Sequence, residues 1–265
     1  MAGPDADAKG NDRFNTEAMN WDQNPTVVQS GILARAAYLK RLPPSPELST
    51  LSVLEIGCGT GLFSLSLAPL VHDLTAVDAA EGMISVLSSK LSSSDPIRSL
   101  SPPGVADAPV PGTSITNVLP VAALLTSPDD PRIQIDPLTR QPTTGRRFDL
   151  VISHLVLHHV ADLPALFATV FACLKPGGHV MVTDFEDFGP EAERFHPAAS
   201  MDGVERHGIK RGVMEAVLTQ AGFEHVQVET AFELDKMVET MPGNRVMEHK
   251  MTFPFLICRS RRPVV

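Results

Sequence analysis

The sequence predicts an α/β fold, a Rossmann-like doubly wound sheet with mostly parallel strands, and three observations predict it. Leu51, Val53, Leu54 and Ile56 form a short apolar run without helical spacing, the pattern of a strand covered on both faces. Gly57, Gly59 and Gly61 then occupy every second position, which permits a tight turn and a close approach of backbone to a ligand. Leu62, Phe63, Leu65 and Leu67 open a helix that Pro69 closes. Strand, glycine turn and helix make the opening unit of a nucleotide-binding doubly wound sheet.

The other elements follow in chain order. Residues 1–12 are acidic and rich in small residues, and read as a disordered tail. Residues 13–45 form an N-terminal segment ahead of the main domain, 46–265. Within it Phe14, Met19 and Trp21 stand in a non-helical context, and Asn24 with Pro25 suits a helix start. Val27, Val28, Ile32, Leu33, Ala36 and Leu39 give that helix its apolar stripe. After the glycine turn, Leu74, Ala76 and Val77 end a second strand, and Met83, Ile84, Val86 and Leu87 continue as a helix to about Leu91. Residues 92–114, rich in Ser and Pro, break all periodicity and read as a surface insertion. A third strand is expected at Ile115–Val121 and a fourth at Phe148–Ser153. Leu163, Leu166, Phe167, Val170 and Leu174 make an amphipathic helix, and Pro176, Gly177 and Gly178 turn into a fifth strand, HVMVTD. A helix through Val213, Val217 and Leu218 stops at Gly222, and strands follow at Val226–Val228 and Thr252–Cys258.

The glycine spacing narrows the ligand. Dinucleotide-binding turns use G-x-G-x-x-G, whereas here the third glycine comes one residue early and Leu62 holds the place of the last glycine. Glu55, just before the turn, suits a cationic group better than a diphosphate. S-adenosylmethionine (AdoMet), with a sulfonium and an ammonium, is such a ligand. Asp78 ends the second strand about twenty residues on, where an acidic residue accepts hydrogen bonds from ribose hydroxyls. Its alternative role is to cap the helix that starts near Glu81.

VLEIGCGTG (53–61), VDAAEGM (77–83), FDLVISHLVLHHV (148–160) and LKPGGHVMVTD (174–184), in this order and separation, resemble the class I AdoMet-dependent methyltransferases. The resemblance implies a seven-stranded sheet ending in an antiparallel hairpin, with the N-terminal helical segment as a lid over cofactor and substrate. It implies AdoMet as cofactor, with S-adenosylhomocysteine (AdoHcy) as product. Trp21, Glu55, Gly57, Cys58, Gly59, Asp78, Ala79, Met83 and Ser153 are then the cofactor-site candidates, and the loop 122–127 reaches towards the adenine. Phe14, His154, His158, Phe185 and His207 are the substrate-site candidates. His154, at the carboxyl end of the fourth strand, is the candidate catalytic base, with His207 second. Part of the wording, FNTEAMNWD, SHLVLHH and ERHG, resembles fungal methyltransferases of secondary metabolism, a group with a member acting on the thiols of reduced gliotoxin. A thiol acceptor of that kind is the expected substrate, with O- or N-methylation as the alternative.

The 265 residues carry a net charge of −9, which argues against a polyanion-binding surface. Cys58, Cys173 and Cys258 are too few and too scattered for a disulfide framework or a metal cluster. The histidines have no carboxylate or cysteine partner beside them in the sequence, so no metal is expected. The N-terminus has no apolar signal core and no run reaches membrane-spanning length. A soluble cytoplasmic monomer with a small-molecule substrate, binding neither nucleic acid nor membrane, is the expectation. Two rivals share the fold: a nicotinamide-dependent oxidoreductase, which the glycine spacing and Glu55 oppose, and a non-catalytic AdoMet-fold binding protein.

Overall fold

In a computed structural model, residues 4–44, 47–93, 115–239 and 248–264 are described. The apolar run before the glycine turn becomes β1 (Ser52–Ile56), and the turn opens α3 (Leu62–Leu67). Ahead of them lie α1 (Pro4–Glu17) and α2 (Pro25–Leu39). After them come β2 (Asp73–Asp78), α4 (Glu81–Ser92), β3 (Val118–Ala122), β4 (Phe148–His154), α5 (Leu163–Cys173) and β5 (Leu174–Phe185). The chain closes with α6 (Arg211–Gln220), β6 (Glu224–Glu239) and β7 (Glu248–Arg261).

The seven strands form one sheet in the order β3-β2-β1-β4-β5-β7-β6. The first five are parallel, and β7 runs antiparallel to both β5 and β6. After β1 the chain steps outward through β2 to β3 and then returns to the other side of β1. That reversal opens a crevice beyond the carboxyl ends of β1 and β4, where doubly wound sheets bind ligands. The central strands are apolar on both faces because helices cover both. Phe148, Phe167, Leu174, Leu218 and Leu256 pack in the α5–α6 layer, and Tyr38, Val53, Phe63, Leu74 and Leu150 pack in the α2–α3 layer. Among the described residues no helix is long and apolar enough to cross a membrane. The three cysteines are free and buried.

Asn24 caps α2 as its position suggests: its side-chain oxygen accepts from the backbone N–H of Thr26 (3.0 Å) and Val27 (3.4 Å), with Pro25 at the first helical position. Tyr38, fully buried on the same helix, donates its hydroxyl to the carbonyls of Ser153 (2.7 Å) and Met181 (2.9 Å). It thereby pins α2 to the ends of β4 and β5.

Several expectations need correction. Of the tail expected to be disordered to residue 12, residues 4–12 lie in α1, and Phe14 is helical; residues 1–3 lie outside the described residues. The last turns of α1 dock: Arg13 donates to the Ser200 carbonyl (2.6 Å) and Phe14 packs edge-on against Trp21 and His159. Such tertiary contacts support a helix whose composition alone does not. Met19 and Trp21 lie on a 3-10 turn, Ala18–Gln23. Strand β3 starts three residues later than expected, and Pro176–Gly178 sit inside β5 as an irregularity, with Gly177 N–H donating to the Arg262 carbonyl (3.0 Å). Strands β6 and β7 are far longer than expected, pairing from Glu224↔Arg261 to Glu239↔Glu248. The expected insertion at 92–114 lies outside the described residues except for its first two positions, 92 and 93.

Candidate functional site

A cavity of about 840 Å³ fills the crevice, a volume suited to a small-molecule ligand. Its floor is the glycine turn. Gly57, Gly59 and Gly61 all hold positive φ (70°, 54° and 80°), a backbone region that side chains other than glycine seldom adopt. A Cβ on Gly57 would stand 2.2 Å from Val156 Cγ2, so the turn and the loop after β4 are in close contact. Leu155 in that loop also has positive φ (57°), a strained conformation that carries the chain over the turn.

Glu55, Gly57, Cys58, Gly59, Asp78, Ala79 and Met83 all line this cavity, as do Phe14, Trp21 and His154. Glu55 is 2% exposed and accepts one hydrogen bond, from Ser64 Oγ (2.6 Å). Burial pushes its carboxyl up to about 8, with only the Ser64 bond opposing, and the nearby Asp78 raises it further. An acid so desolvated is short of a positive partner. Asp78 accepts from Gly59 N–H (2.8 Å) and Ala80 N–H (2.9 Å), so its carboxylate braces the glycine turn. The residue capping α4 is Ala80, not Asp78. Burial lifts the Asp78 carboxyl, while the two backbone donors pull it back. Cys58 is buried and its thiol is pushed well up, which makes it a packing residue rather than a nucleophile. Ala123, Leu124, Leu125 and Thr126, from the loop expected to reach the adenine, line the same space.

The N-terminal segment contributes Asn11, Phe14 and Trp21 to the lining. Trp21 Nε1 comes within 3.6 Å of where a Gly59 Cβ would stand. Asp22 ties the segment down, accepting from Thr60 Oγ1 (2.5 Å) and pairing with Lys90 of α4 (2.5 Å). Asn15 Oδ1 accepts from Gly82 N–H (2.7 Å). The sequence singled out Trp21 but not this clasp, which joins residues far apart in the chain.

Four predicted site residues stand outside the cavity lining. Ser153 is buried and gives its hydroxyl to the Ile56 carbonyl (2.8 Å), tying β4 to β1. Phe185 is fully buried in an aromatic cluster, stacked on Phe195 at 4.1 Å. His207 Nδ1 is buried without a hydrogen-bond partner among the described residues, and His207 does not line the cavity. His158 is 2% exposed and held by Asp184, whose carboxylate meets its Nδ1 at 2.8 Å and its backbone N–H at 3.0 Å. Asp184 is fully buried in that pairing. Ser153, Phe185 and His158 share one reason: strand ends near a crevice also carry the contacts that shape it. Within the segment 195–211, Arg206 clamps the carbonyls of Leu157, Val160 and Ala161, while Gly203 and Glu205 reach the cavity.

His154 does line the cavity, but not as a poised base. Its Nδ1 meets Thr183 Oγ1 (2.8 Å), its Nε2 meets Ser30 Oγ (3.4 Å), and burial pushes its pKa down to about 4. The imidazole is neutral at physiological pH, and both nitrogens are engaged. His159 is the lining histidine missed by the sequence reading. It packs edge-on against Phe14 and donates Nδ1–H to the Gly203 carbonyl (2.7 Å). The absence of a carboxylate beside the histidines in sequence is reversed in space, where Asp184 pairs with His158.

Comparison with known proteins agrees with this geometry. Residues 28–240 match a family model described as a methyltransferase domain. A ubiquinone biosynthesis O-methyltransferase of Methylobacterium sp. is 30% identical over 188 residues, which cover 66% of this chain and 62% of that enzyme. Phosphoethanolamine N-methyltransferase 1 of maize is 34% identical over 83 residues, 31% of this chain but only 16% of the enzyme's length. Among solved structures, the N-methyltransferase NodS of Bradyrhizobium japonicum in complex with AdoHcy superposes with a TM-score of 0.53 at 17% identity, over 96% of this chain and 99% of NodS. Phosphoethanolamine N-methyltransferase 2 of Haemonchus contortus in complex with AdoMet gives 0.59 at 15% identity, over 94% of this chain and 57% of that protein. At these identities the superpositions speak for the fold, and the family match carries the assignment. The chain belongs to the class I AdoMet-dependent methyltransferase family.

Proposed function

We propose that this chain transfers the methyl group of AdoMet to a small-molecule acceptor held in the same cavity. The observation that carries the reading is Glu55: a desolvated carboxyl with one neutral hydrogen-bond donor, facing a cavity floored by three positive-φ glycines. That arrangement calls for a cation bound against closely approaching backbone, and the ammonium of AdoMet fits it. Asp78 keeps oxygen lone pairs beyond its two backbone bonds with which to receive ribose hydroxyls. AdoMet supplies the activated methyl group, so the protein's part is orientation and exclusion of water. Trp21 and Phe14 line the cavity and Asp22 anchors their segment, which supports reading the N-terminal segment as a lid. His154 forms a neutral part of the cavity wall, its ring held by Thr183 and Ser30.

The acceptor atom is drawn from the relatives, whose names describe N- and O-methyltransferases. The dithiol expected from the sequence has no counterpart among those names, so nitrogen and oxygen acceptors lead and thiols follow. The oxidoreductase alternative falls with the family match.

Titration calorimetry tests the cofactor reading. AdoHcy and AdoMet are expected to bind one per chain and NAD not at all. Binding of NAD in preference to AdoHcy, or of neither, would overturn it.

A further inference from the structure

Beside the cavity, three histidines from distant parts of the chain converge. His158 and His159 come from the turn after β4, and His196 from the segment after β5. One nitrogen of each lies within 4.8 Å of the others. The ring centroids of His158 and His159 are 3.9 Å apart, and those of His158 and His196 are 4.9 Å apart. We propose that His158, His159 and His196 form a transition-metal site of the three-histidine zinc class at the cavity wall.

The surroundings are those a metal site requires. His158 Nδ1 is engaged by the Asp184 carboxylate and His159 Nδ1 by the Gly203 carbonyl. Both partners accept, so both Nδ1 atoms carry the proton and both Nε2 atoms keep the lone pair that binds a metal. A carboxylate or carbonyl behind a ligating imidazole is the usual outer shell, fixing tautomer and ring orientation. His196 Nδ1 is buried with no hydrogen-bond partner among the described residues, so this imidazole lacks the partner a structural histidine normally has. Phe185 and Phe195 wall the cluster on the protein side, with His196 5.7 Å and 5.2 Å from their ring centroids.

Tetrahedral zinc at about 2.0–2.1 Å from nitrogen sets ligand nitrogens roughly 3.4 Å apart. The rings must therefore close by about 1.5 Å at most, within reach of small side-chain rotations. Three imidazoles leave a fourth position for water or a substrate donor atom, the pattern of catalytic rather than structural zinc. Of the three, His159 lines the cavity, so the cluster stands at the cavity wall. Arg13 and Lys236 also lie near the cluster, with Arg13 donating to the Ser200 carbonyl and Lys236 to the Phe195 carbonyl. Their charge opposes a bare cation but favours an anionic fourth ligand, such as a deprotonated oxygen or sulfur of an acceptor. The catalytic meaning of the site rests on the methyltransferase reading; its metal affinity does not.

The test uses the full chain stripped with a chelator and titrated with Co(II), then Zn(II). Expected are about one equivalent of tightly held metal by elemental analysis and an intense visible Co(II) spectrum of low coordination number, displaced by Zn(II). His196→Gln is expected to lose the spectrum while still binding AdoHcy, which shows that the variant is folded and keeps its cofactor site. Asp184→Asn should weaken the metal about 10- to 100-fold, and His207→Ala should leave it unchanged. A wild-type chain that gives no such spectrum, or a spectrum that survives in His196→Gln and His159→Ala, overturns the proposal. Loss of AdoHcy binding by wild-type protein that still takes up one metal would instead count against the methyltransferase reading alone.

Discussion

Replacing Glu55 by Gln isolates the electrostatics of the cofactor site. With its carboxyl at about 8 in the ligand-free chain, Glu55 is neutral at pH 6. Ionising it there costs roughly 3 kcal/mol, which a cationic ligand must offset. The ionised fraction rises from about 1% at pH 6 to about half at pH 8, so the affinity for a ligand that needs the carboxylate should rise by up to about 50-fold over that range. Calorimetric titration of AdoHcy at pH 6, 7 and 8 measures this directly. Each titration should release close to one proton at pH 6 and about half a proton at pH 8, read from the buffer dependence of the heat. Glu55→Gln should bind with nearly constant affinity across the range, because the ligand's own titration is common to both proteins. The sign for stability follows from the same shift. A carboxyl raised above its unfolded value makes the folded chain bind more protons, so ligand-free stability falls as pH rises from about 4.5 to 8, and Glu55→Gln should be the more stable at pH 8. An AdoHcy affinity flat in pH for the wild-type protein, or equally steep for Glu55→Gln, would refute the assignment of Glu55 as the ammonium partner.

Further predictions concern the turn, the clasp and the buried histidine pair. Gly57→Ala combines a φ of +70° with a Cβ 2.2 Å from Val156, and should lower stability by about 1–3 kcal/mol and abolish AdoHcy binding, seen as a melting temperature several degrees lower that AdoHcy no longer raises. Gly212→Ala, in a helix with open space around it, should instead be neutral or stabilising by up to about 1 kcal/mol. Asp22→Ala frees the lid from Thr60 and Lys90; AdoHcy should bind about 5- to 10-fold more weakly with little change in melting temperature, and hydrogen exchange of residues 11–23 should accelerate. Asp184→Asn disturbs a fully buried carboxylate that accepts from His158 and two backbone N–H groups, and should cost about 1–3 kcal/mol in thermal or denaturant unfolding near neutral pH. Although burial opposes it, His158 together with the backbone N–H groups of His158 and Phe185 holds the Asp184 carboxyl below its usual range. Its stabilising effect is therefore present above about pH 4 and is lost as pH falls through the lowered value, a limb of the acid-unfolding profile that Asp184→Asn should lack.

The parts of the molecule legible in the sequence are those where one physical constraint dominates. LSVLEIGCGTG announces its strand and turn because burial on both faces demands unbroken apolar residues and the turn demands positive φ. Asn24-Pro25 announces a helix start because capping chemistry is local. The order of four such segments was enough for the sheet. What stayed hidden depends on distance. Strands β6 and β7 outrun their apolar runs: Phe232, Leu234 and Val238 do alternate, but Lys236 falls on the same face, where its ammonium sits over the Phe195 ring. The first turns of α1 have no apolar stripe of their own and are held by contacts of Arg13 and Phe14 with residues up to 187 positions away. In the candidate site, the glycine turn was readable because its positive φ values demand glycine locally. The histidines were not, since a histidine's role is set by its partner, and His154, His158 and His159 meet Thr183, Asp184 and Gly203, none of them near in sequence.

The central claim is that this cavity moves a methyl group from AdoMet to a small acceptor. It is tested most directly by incubating the full chain with AdoMet carrying an isotopic label in its methyl group, against sets of amines, phenols and thiols, and measuring both AdoHcy release and label in the acceptor. The account predicts acceptor-dependent AdoHcy matched by label in one acceptor class, amine or phenol first, and the loss of both in Gly57→Ala. AdoHcy binding without acceptor-dependent release for any class would contradict it and leave a binding protein built on a methyltransferase fold.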